Sequence, residues 1–203
     1  IIIRQSDLLD NDIRVTGGRT LLRLSNGTAN AGVGPLHLYG VTPGNEDGTQ
    51  DVRQRVYRED GSFFERVAGT FVYHPEHNHI HFEEWAQYRL RSIVGEDGVG
   101  AVIAEGAKTS FCILDLGVYD RSLPHYRPGG FFRSCSSTTQ GLSVGWIDVY
   151  SKSLPGQNID ITDVPDGHYW LESEVDPNNN VLESNEDNNI ERVRVTIGDP
   201  SDI

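Results

Sequence analysis

Short runs in which apolar and polar residues alternate, separated by turn-forming residues, make up most of this chain. Alternation with a period of two is typical of β-strands that bury one face, and no long stretch keeps the helical period of about 3.6 residues. The pattern therefore predicts an all-β protein, a β-sandwich-like single domain with long irregular loops and little helix. The predicted strands cover residues 13–24, 36–41, 52–58, 62–73, 77–93, 169–175 and 190–197, with hairpins joining 52–58 to 62–73 and 169–175 to 190–197.

The remaining segments are predicted from their composition. Residues 25–34 are rich in turn formers, and residues 102–116 are apolar, so we expect them to be buried. Residues 119–145 are rich in Gly, Pro, Ser and Thr, and such a long irregular segment inside a compact domain is usually functional or flexible. A short helix is expected over residues 145–150. Because the sequence contains no internal repeat or linker, we predict one domain spanning residues 1–203.

Length and charge exclude some classes of function. The chain has 203 residues, enough for one substantial core or two small ones. Its formal net charge is −13 and its pI is near 4.8. This acidity argues against nucleic acid as a partner, because nucleic-acid binding depends on cationic side chains. An acidic surface attracts amine-bearing or lysine-rich substrates, although solubility or adaptation to salt explains it equally well. No apolar run approaches the roughly 20 residues of a membrane helix, and the first residue is not Met, so we expect that a signal or pro-segment has been removed.

Three histidines with the spacing H-x-H-x-H, His77, His79 and His81, are the strongest chemical signal in the sequence. Residues two apart in a strand share a face, so the three imidazoles project together. Neutral imidazole binds Cu, Zn, Fe and Ni, and three histidines leave a coordination position open for water or O2. We predict a metal site here, natively copper, which stands at the top of the divalent affinity order; the alternatives are zinc or a polar strand face. His74 has the other strand parity, so we expect it to lie apart.

The two cysteines, Cys112 and Cys135, are too few for a cysteine-rich zinc site. A disulfide between them would contribute on the order of 3 kcal/mol in the chain-entropy treatment, and it would indicate an oxidising compartment. The alternative is a pair of free buried thiols. We predict the disulfide and, with it, a secreted, extracellular protein.

Further motifs follow the histidines in a fixed order and carry a family resemblance. Residues 104–112 read AEGAKTSFC, residues 139–143 read TQGLS, Gly145 precedes Asp148, Val149 and Tyr150, and residues 159–164 read IDITDV. Together with the H-x-H-x-H strand, this order closely resembles the catalytic domain of the lysyl oxidases. The resemblance extends from near the N-terminus to about Ile197.

The resemblance implies a function and assigns residues to it. It implies a copper-dependent amine oxidase that uses O2 to convert primary amines, peptidyl-lysine or small amines, to aldehydes with release of H2O2 and ammonia. Copper is assigned to His77, His79 and His81, and the two precursors of the lysine tyrosylquinone cofactor are Lys108 and Tyr150. In that family copper and O2 oxidise the tyrosine ring, and the lysine amine then adds to it.

The residues themselves give separate expectations for the two cofactor precursors. Lys108 lies in an apolar stretch, where an ammonium is costly to bury, and a neutral amine is the form that attacks a quinone. The alternative is an exposed strand lysine. For Tyr150 the alternative is a core tyrosine with a bonded hydroxyl, and the resemblance alone raises it above that interpretation.

A second ion is predicted in residues 176–189, which read DPNNNVLESNEDNN and are dense in oxygen ligands. Carboxylates and Asn carbonyls suit Ca²⁺, which takes six to eight oxygens, although the spacing does not fit an EF-hand. The segment resembles the calcium site of the family. The matching residues are Glu183, Asn185, Asn188 and Asn189, with Asp7 and the carbonyl of Leu8 approaching from the N-terminal segment. The alternative is a solvated Asn-rich turn.

The chain departs from the animal members of the family at several positions. Animal catalytic domains carry several disulfides, whereas this chain can form one, and Glu76 stands where they have a cysteine before the first copper histidine. Asn185 stands where animal members usually have Asp, which would lower the affinity for calcium. We therefore expect a minimal relative of prokaryotic type, for which collagen or elastin is an uncertain substrate.

Two other functions compete with the amine oxidase. A cupin-like oxygenase would use His79, His81 and a carboxylate such as Glu84, but the later histidine, His168, follows Gly167 directly, which is the wrong spacing for a cupin. A non-catalytic, calcium-stabilised β-sandwich that binds a partner would hold the metal adventitiously. A redox-cycling quinone stain separates the amine oxidase from both.

Overall fold

Antiparallel strands form almost all the regular structure of the chain, whose computed structural model describes residues 1–75 and 78–198. The all-β prediction is therefore confirmed. No helix in the described ranges is long and apolar enough to cross a membrane. The elements in chain order are β1 (Ile2–Ile3), α1 (Gln5–Leu8), β2 (Asn11–Thr16), β3 (Arg19–Leu24), β4 (Asn26–Ala29), β5 (Leu36–Gly40), β6 (Thr49–Tyr57), β7 (Phe63–His74), β8 (His79–Val94), β9 (Gly98–Glu105), β10 (Thr109–Phe111), β11 (Gly117–Val118), β12 (Gln140–Leu142), β13 (Trp146–Tyr150), β14 (Asn158–Asp160), β15 (Gly167–Val175) and β16 (Ile190–Ile197).

The large sheet is organised around β8, the 16-residue strand that carries the histidines. Its strand order is β12-β5-β6-β7-β8-β15-β16, and β9 and β10 also pair with β8 outside this order. Both predicted hairpins, β6 with β7 and β15 with β16, are present. Because β8 is long, its first half pairs with β7 and its second half with β15. The end of β8 that carries the histidines therefore pairs with β7.

Two smaller sheets complete the fold, with orders β1-β4-β13-β11 and β14-β3-β2. Three local predictions are wrong here. Residues 25–34 contain β4. Residues 146–150 form β13 instead of the predicted helix, because their β-branched and aromatic side chains suit a strand and Ile147 pairs with Ala29. Residues 13–24 form the hairpin β2–β3, since Gly17 and Gly18 have φ values of +58° and +75°, as a two-residue turn requires.

One buried core joins the sheets. Trp85, Tyr88 and Phe111 are fully buried, and full burial of such a side chain contributes about 1.5–3 kcal/mol. The Trp85 indole N–H donates to the Thr28 hydroxyl at 3.4 Å, which ties β8 to β4. Residues 102–116, which we expected to be buried, are buried only in part. Val102 is 44% exposed because β9 flanks β8 outside the main strand order, whereas Phe111 and its neighbours face the core.

The predicted disulfide is confirmed. Cys112 and Cys135 are bonded, with their Cα atoms 5.3 Å apart, inside the range that a bridge can span. The bridge fastens the irregular segment that follows β11 to the residue after β10. It thereby connects the segment that contains Cys135 to β10.

We expect the double substitution of Cys112 and Cys135 by Ala to lower the free energy of unfolding by about 3 kcal/mol, because the bridge closes a loop of sequence separation 23. Urea unfolding of the two proteins measures this difference, with Ser151→Ala, an exposed site, as the control. Thiol titration of the denatured, unreduced wild type should detect no free thiol. Two free thiols in protein made under oxidising conditions would contradict the bridge.

Candidate active site

His79 and His81 converge on one point. They lie two residues apart on β8, with ring centroids 4.8 Å apart and Nε2 atoms separated by 2.8 Å. The His81 side chain is buried at 2% exposure. The prediction that residues two apart on this strand share a face is therefore correct for His79 and His81. His77 lies outside the described residues, and among those described no group of three or more His, Cys, Asp or Glu side chains has a metal-holding arrangement.

His74 lies beside this pair, contrary to the expectation from parity. Parity along one strand does not apply to it, because His74 is the last residue of β7 and stands opposite His79 across the β7–β8 ladder. Its ring stacks on that of His81 with centroids 4.2 Å apart, and its Nε2 is 3.8 Å from the Glu83 carboxylate. Three histidines therefore lie together in the described part of the chain.

The Thr-Gln-Gly motif fixes the backbone between the two histidines. The Gln140 side chain, fully buried, donates to the Ile80 carbonyl at 2.9 Å and accepts from the Ile113 N–H at 3.0 Å. The Ile80 N–H donates to the Cys135 carbonyl at 3.3 Å. Rigid support of this kind keeps ligands in place, and the sequence gave no indication that this glutamine provides it.

Tyr150, the last residue of β13, contacts Cys112, whereas Cys135, the other half of the disulfide, contacts the histidine strand. Its hydroxyl accepts a hydrogen bond from the Cys112 N–H at 2.7 Å and donates to the Cys112 carbonyl at 3.3 Å. Its ring stacks on Phe111, with centroids 3.8 Å apart. Burial, with the nearby Asp148 carboxyl as a smaller cause, raises the pKa of the Tyr150 phenol. Contacts through Cys112 and Cys135 thus connect this phenol to the histidine strand.

Asp148 shares a face of β13 with Tyr150 and is almost completely buried. Burial raises the pKa of its carboxyl well above the usual range. Its Oδ2 atom has no hydrogen-bond partner among the described residues. A buried carboxyl of this kind beside a candidate cofactor residue is typical of functional sites.

Lys108 is exposed, so the expectation of a buried amine is wrong. The residue immediately precedes β10, at the rim of the sheet, and its side chain is 31% exposed. Its ammonium donates to the Asn178 amide oxygen at 2.7 Å and lies 3.6 Å from the Glu84 carboxylate. Lys108 and Tyr150 lie near opposite ends of β10, which at about 3.3 Å per residue separates them by roughly 10 Å.

The loop from β15 to β16 brings several predicted calcium ligands together. The Asn189 amide donates to the Glu183 carboxylate at 3.0 Å, and the Ile1 amino group also contacts that carboxylate. The Asn188 side chain lies among three oxygens. With its amide nitrogen turned toward them, it donates at 3.0 Å to the carbonyl of Asn185 and at 3.2 Å to the carbonyl of Ile1 and to Oδ1 of Asn189.

The other two predicted calcium ligands lie in α1. The Asp7 carboxylate accepts two hydrogen bonds from Arg4, and the Leu8 carbonyl accepts one from the Asn11 amide. A hydrogen bond of 3.3 Å from Gln5 to Glu191 places α1 beside the start of β16. The N-terminal residue that reaches the Asn188 cluster is Ile1, a position that the sequence did not indicate.

The same loop contains a buried carboxyl with a perturbed pKa. Burial raises the pKa of Asp176 to about 6, although its oxygens accept hydrogen bonds from the Asn180 and Val181 N–H groups, both at 2.9 Å. Between its usual pKa of 3.8 and about 6, the folded state holds a proton that the unfolded state releases. The contribution of Asp176 to stability is therefore largest below this window and is lost as the pH rises through it.

We expect the free energy of unfolding of the wild type, relative to Asp176→Asn, to fall by about 2–3 kcal/mol between pH 4 and pH 7, from about 1.4 kcal/mol per unit of pKa shift. Urea unfolding in chelator at several pH values measures the difference. Asp163→Asn, at an exposed site, should track the wild type. If the free energy of unfolding of the wild type, relative to Asp176→Asn, rose with pH instead, the Asp176 carboxyl would be charged in the folded protein.

Comparison with known proteins identifies relatives of this chain. The lysyl oxidase family matches residues 57–201. Human lysyl oxidase homolog 1 is 37% identical over 145 residues, covering 70% of this chain and 23% of that protein. Protein-lysine 6-oxidase of Gallus gallus is 36% identical over 144 residues, with 68% and 31% covered, and that of Sus scrofa is 35% identical over 147 residues, with 70% and 54% covered.

The chain belongs to the lysyl oxidase family, since the family match extends over well more than half of it. The resemblance inferred from the motif order is thereby confirmed. The chain spans between about a quarter and about half of the length of these relatives.

Proposed function

We propose that residues 1–203 form one catalytic domain, a copper-dependent amine oxidase that converts primary amines to aldehydes with release of H2O2 and ammonia. Its substrates are peptidyl-lysine or small amines, and O2 is the oxidant. The observation that most supports this function is the convergence of His79 and His81 on a backbone that the Cys112–Cys135 bridge connects to the Tyr150 hydroxyl. Family membership supports an oxidoreductase of the lysyl oxidase type.

The histidines fit a copper ion. The Nε2 atoms of His79 and His81 are 2.8 Å apart, close enough to bind the same ion. Neutral imidazole is a ligand that suits Cu. His79 and His81 would hold the ion, with His77, which shares their parity, as the third ligand. Copper bound there would supply redox chemistry with O2.

The residues around Tyr150 position and protect the phenol. The Phe111 ring fixes the plane of Tyr150, and the Cys112 backbone fixes its hydroxyl. The lysine tyrosylquinone that we propose to form from Lys108 and Tyr150 would supply a carbonyl for the amine and an electron sink. Asp148 is buried on the same face of β13, and burial raises the pKa of its carboxyl, which favours its acceptance of a proton, so it is the candidate base.

The geometry gives less support to a cupin-like oxygenase. Glu84 faces Lys108 and Asn178, so its hydrogen bonds lead away from the histidine pair. His168 lies on β15 and hydrogen bonds to Thr196 across the β15–β16 pair. A non-catalytic binding module remains the second candidate, since the calcium cluster alone would stabilise it.

Calcium fits the loop between β15 and β16, because the Asn188 side chain lies among three oxygens and the Glu183 carboxylate lies beside Asn189, and oxygens are the ligands that Ca²⁺ takes. We expect chelation to lower the melting temperature and Ca²⁺ to restore it, with a stabilisation of about 2.7 kcal/mol at a hundredfold excess over the dissociation constant. Differential scanning calorimetry measures the shift, and Glu59→Gln is the control. If Glu183→Gln keeps the wild-type response to Ca²⁺, the site is elsewhere.

The disulfide also supports a location for the enzyme. Bridges of this kind persist in oxidising compartments, so we propose that the protein acts outside the cell. There it would encounter O2 and lysine-bearing proteins.

The proposed activity is tested by H2O2 release from the copper-treated protein with a small amine and with a lysine-containing peptide. We expect release that depends on amine, copper and O2, together with a positive redox-cycling quinone stain. A protein that binds copper stoichiometrically but gives neither signal would be a metal-binding module and not an amine oxidase.

A further inference from the structure

Lys108, Asn178 and Glu84 are joined on the surface by two hydrogen bonds and one ion pair, an arrangement that we name the lysine cradle. The Lys108 ammonium donates to the Asn178 oxygen at 2.7 Å, and the Asn178 amide nitrogen donates to the Glu84 carboxylate at 2.5 Å. The same carboxylate is 3.6 Å from the ammonium. The amide is therefore oriented by Glu84, with its oxygen directed at the lysine.

The backbone of β8 is distorted where it supplies Glu84. Thr109 and Phe111 of β10 pair with Ala86 and Phe82, so a step of two residues on β10 faces a step of four on β8, which is a β-bulge. Glu84 lies in this bulge with φ of +52°, a left-handed conformation that is unfavourable for a glutamate. Bulges re-aim side chains and occur near active sites, and strain of this kind persists where the surroundings impose it.

Asn178 is also held independently of the lysine. The N–H of Asp176 donates to the Trp85 carbonyl at 2.8 Å, which fastens the loop to the residue after Glu84. The Asp176 carboxyl then accepts the N–H groups of Asn180 and Val181. The loop that carries Asn178 is thus fastened to β8 and is also held by its own hydrogen bonds.

We propose that Asn178 and Glu84 hold the Lys108 amine in the precursor protein and that its release from them precedes its addition to Tyr150. The proposal rests on the proposed function. The cradle stabilises the ammonium, which has no lone pair, and it points the amine away from the phenol, near the opposite end of β10. Lysine release would therefore be required before the bond to the Tyr150 ring can form.

The covalent step balances with O2 as the oxidant. The bonds that form join Nζ of Lys108 to one ring carbon of Tyr150 and an oxygen from O2 to another, and the C–H bonds at these two carbons break. The two ring hydrogens, one amine proton and the phenol proton leave with the reduced oxygen. Overall, the phenol, the amine and two molecules of O2 give the crosslinked quinone, one molecule of water and one of H2O2. The ammonium gives its extra proton to solvent when it leaves the cradle.

Selective acetylation of the metal-free full chain tests the cradle without any catalytic step. The sequence contains two lysines, so Lys152, which is paired with Asp10 at 2.7 Å, is an internal reference. Peptide mass spectrometry after limiting acetic anhydride gives the ratio of Lys108 to Lys152 acetylation. We expect this ratio to rise severalfold in Asn178→Ala and in Glu84→Gln, and to stay unchanged in the control Asn179→Gly. A ratio that is unchanged in both folded variants overturns the cradle.

Release is tested by the rate at which the Lys108–Tyr150 branched peptide appears after addition of copper and O2. Asn178→Ala should form it at least threefold faster than the wild type, with the same final yield. An equal or slower rate overturns release as the controlling step and makes Asn178 a residue that delivers the amine. If no variant forms the branched peptide, the proposed function fails and release fails with it, while the acetylation ratio still decides whether the cradle exists.

Discussion

Replacing Tyr150 with phenylalanine should reduce amine-dependent H2O2 release to background while the protein stays folded. The substitution keeps the ring that stacks on Phe111 but removes the phenol oxygen that would become part of the quinone. It also removes the hydrogen bond from the Cys112 N–H, so we expect a loss of about 1 kcal/mol in the free energy of unfolding. Peroxide release and urea unfolding measure the two effects.

The matched control for this substitution is Tyr126→Phe. Tyr126 stacks on Trp146, at the opposite end of β13 from Tyr150. This variant should keep wild-type turnover and copper binding, so that any loss in Tyr150→Phe is assigned to the particular phenol. Wild-type turnover by Tyr150→Phe would remove the quinone from the mechanism and leave the histidines as an oxygenase site or an adventitious metal site.

Replacing His81 with alanine should abolish stoichiometric copper binding and quinone formation together. His81 contributes an Nε2 atom 2.8 Å from that of His79, and its buried ring stacks on His74, so its loss removes a ligand and the packing that orients its neighbours. Isothermal titration with copper and the visible spectrum after exposure to O2 measure the effect. His168→Ala is the control, since that histidine lies on β15.

A stronger test of the copper site replaces all three histidines of the H-x-H-x-H motif. If the triple alanine variant of His77, His79 and His81 still bound one copper ion per chain at the wild-type affinity, the assigned site would be wrong. Loss of quinone with retained copper would instead place the ion at other ligands, with the histidines acting on the cofactor.

Periodicity predicted the parts of the site that depend on a single strand. Residues two apart on β8 share a face, so the convergence of His79 and His81 follows from their spacing alone. His74 was misplaced because its position depends on the pairing of β7 with β8, which parity within one strand does not contain. The same reason explains β13, whose strand conformation depends on β4 as its partner.

Long-range contacts account for the other differences. The exposed position of Lys108 depends on where β10 begins at the sheet rim, and on Asn178 from a loop 70 residues later. The Gln140 support for Ile80 likewise joins residues 60 apart in the sequence. Neither contact leaves a local pattern in the sequence, whereas the family motifs indicated the lysine and the tyrosine as residues without giving their distance.

The central claim, that Lys108 and Tyr150 become one cofactor, is tested most directly by a peptide digest of the copper- and O2-treated protein. The account predicts a branched species that joins the two peptides, with one oxygen gained and four hydrogens lost, and its absence from the metal-free protein. Separate, unmodified Lys108 and Tyr150 peptides in a preparation that releases H2O2 from amines would contradict it.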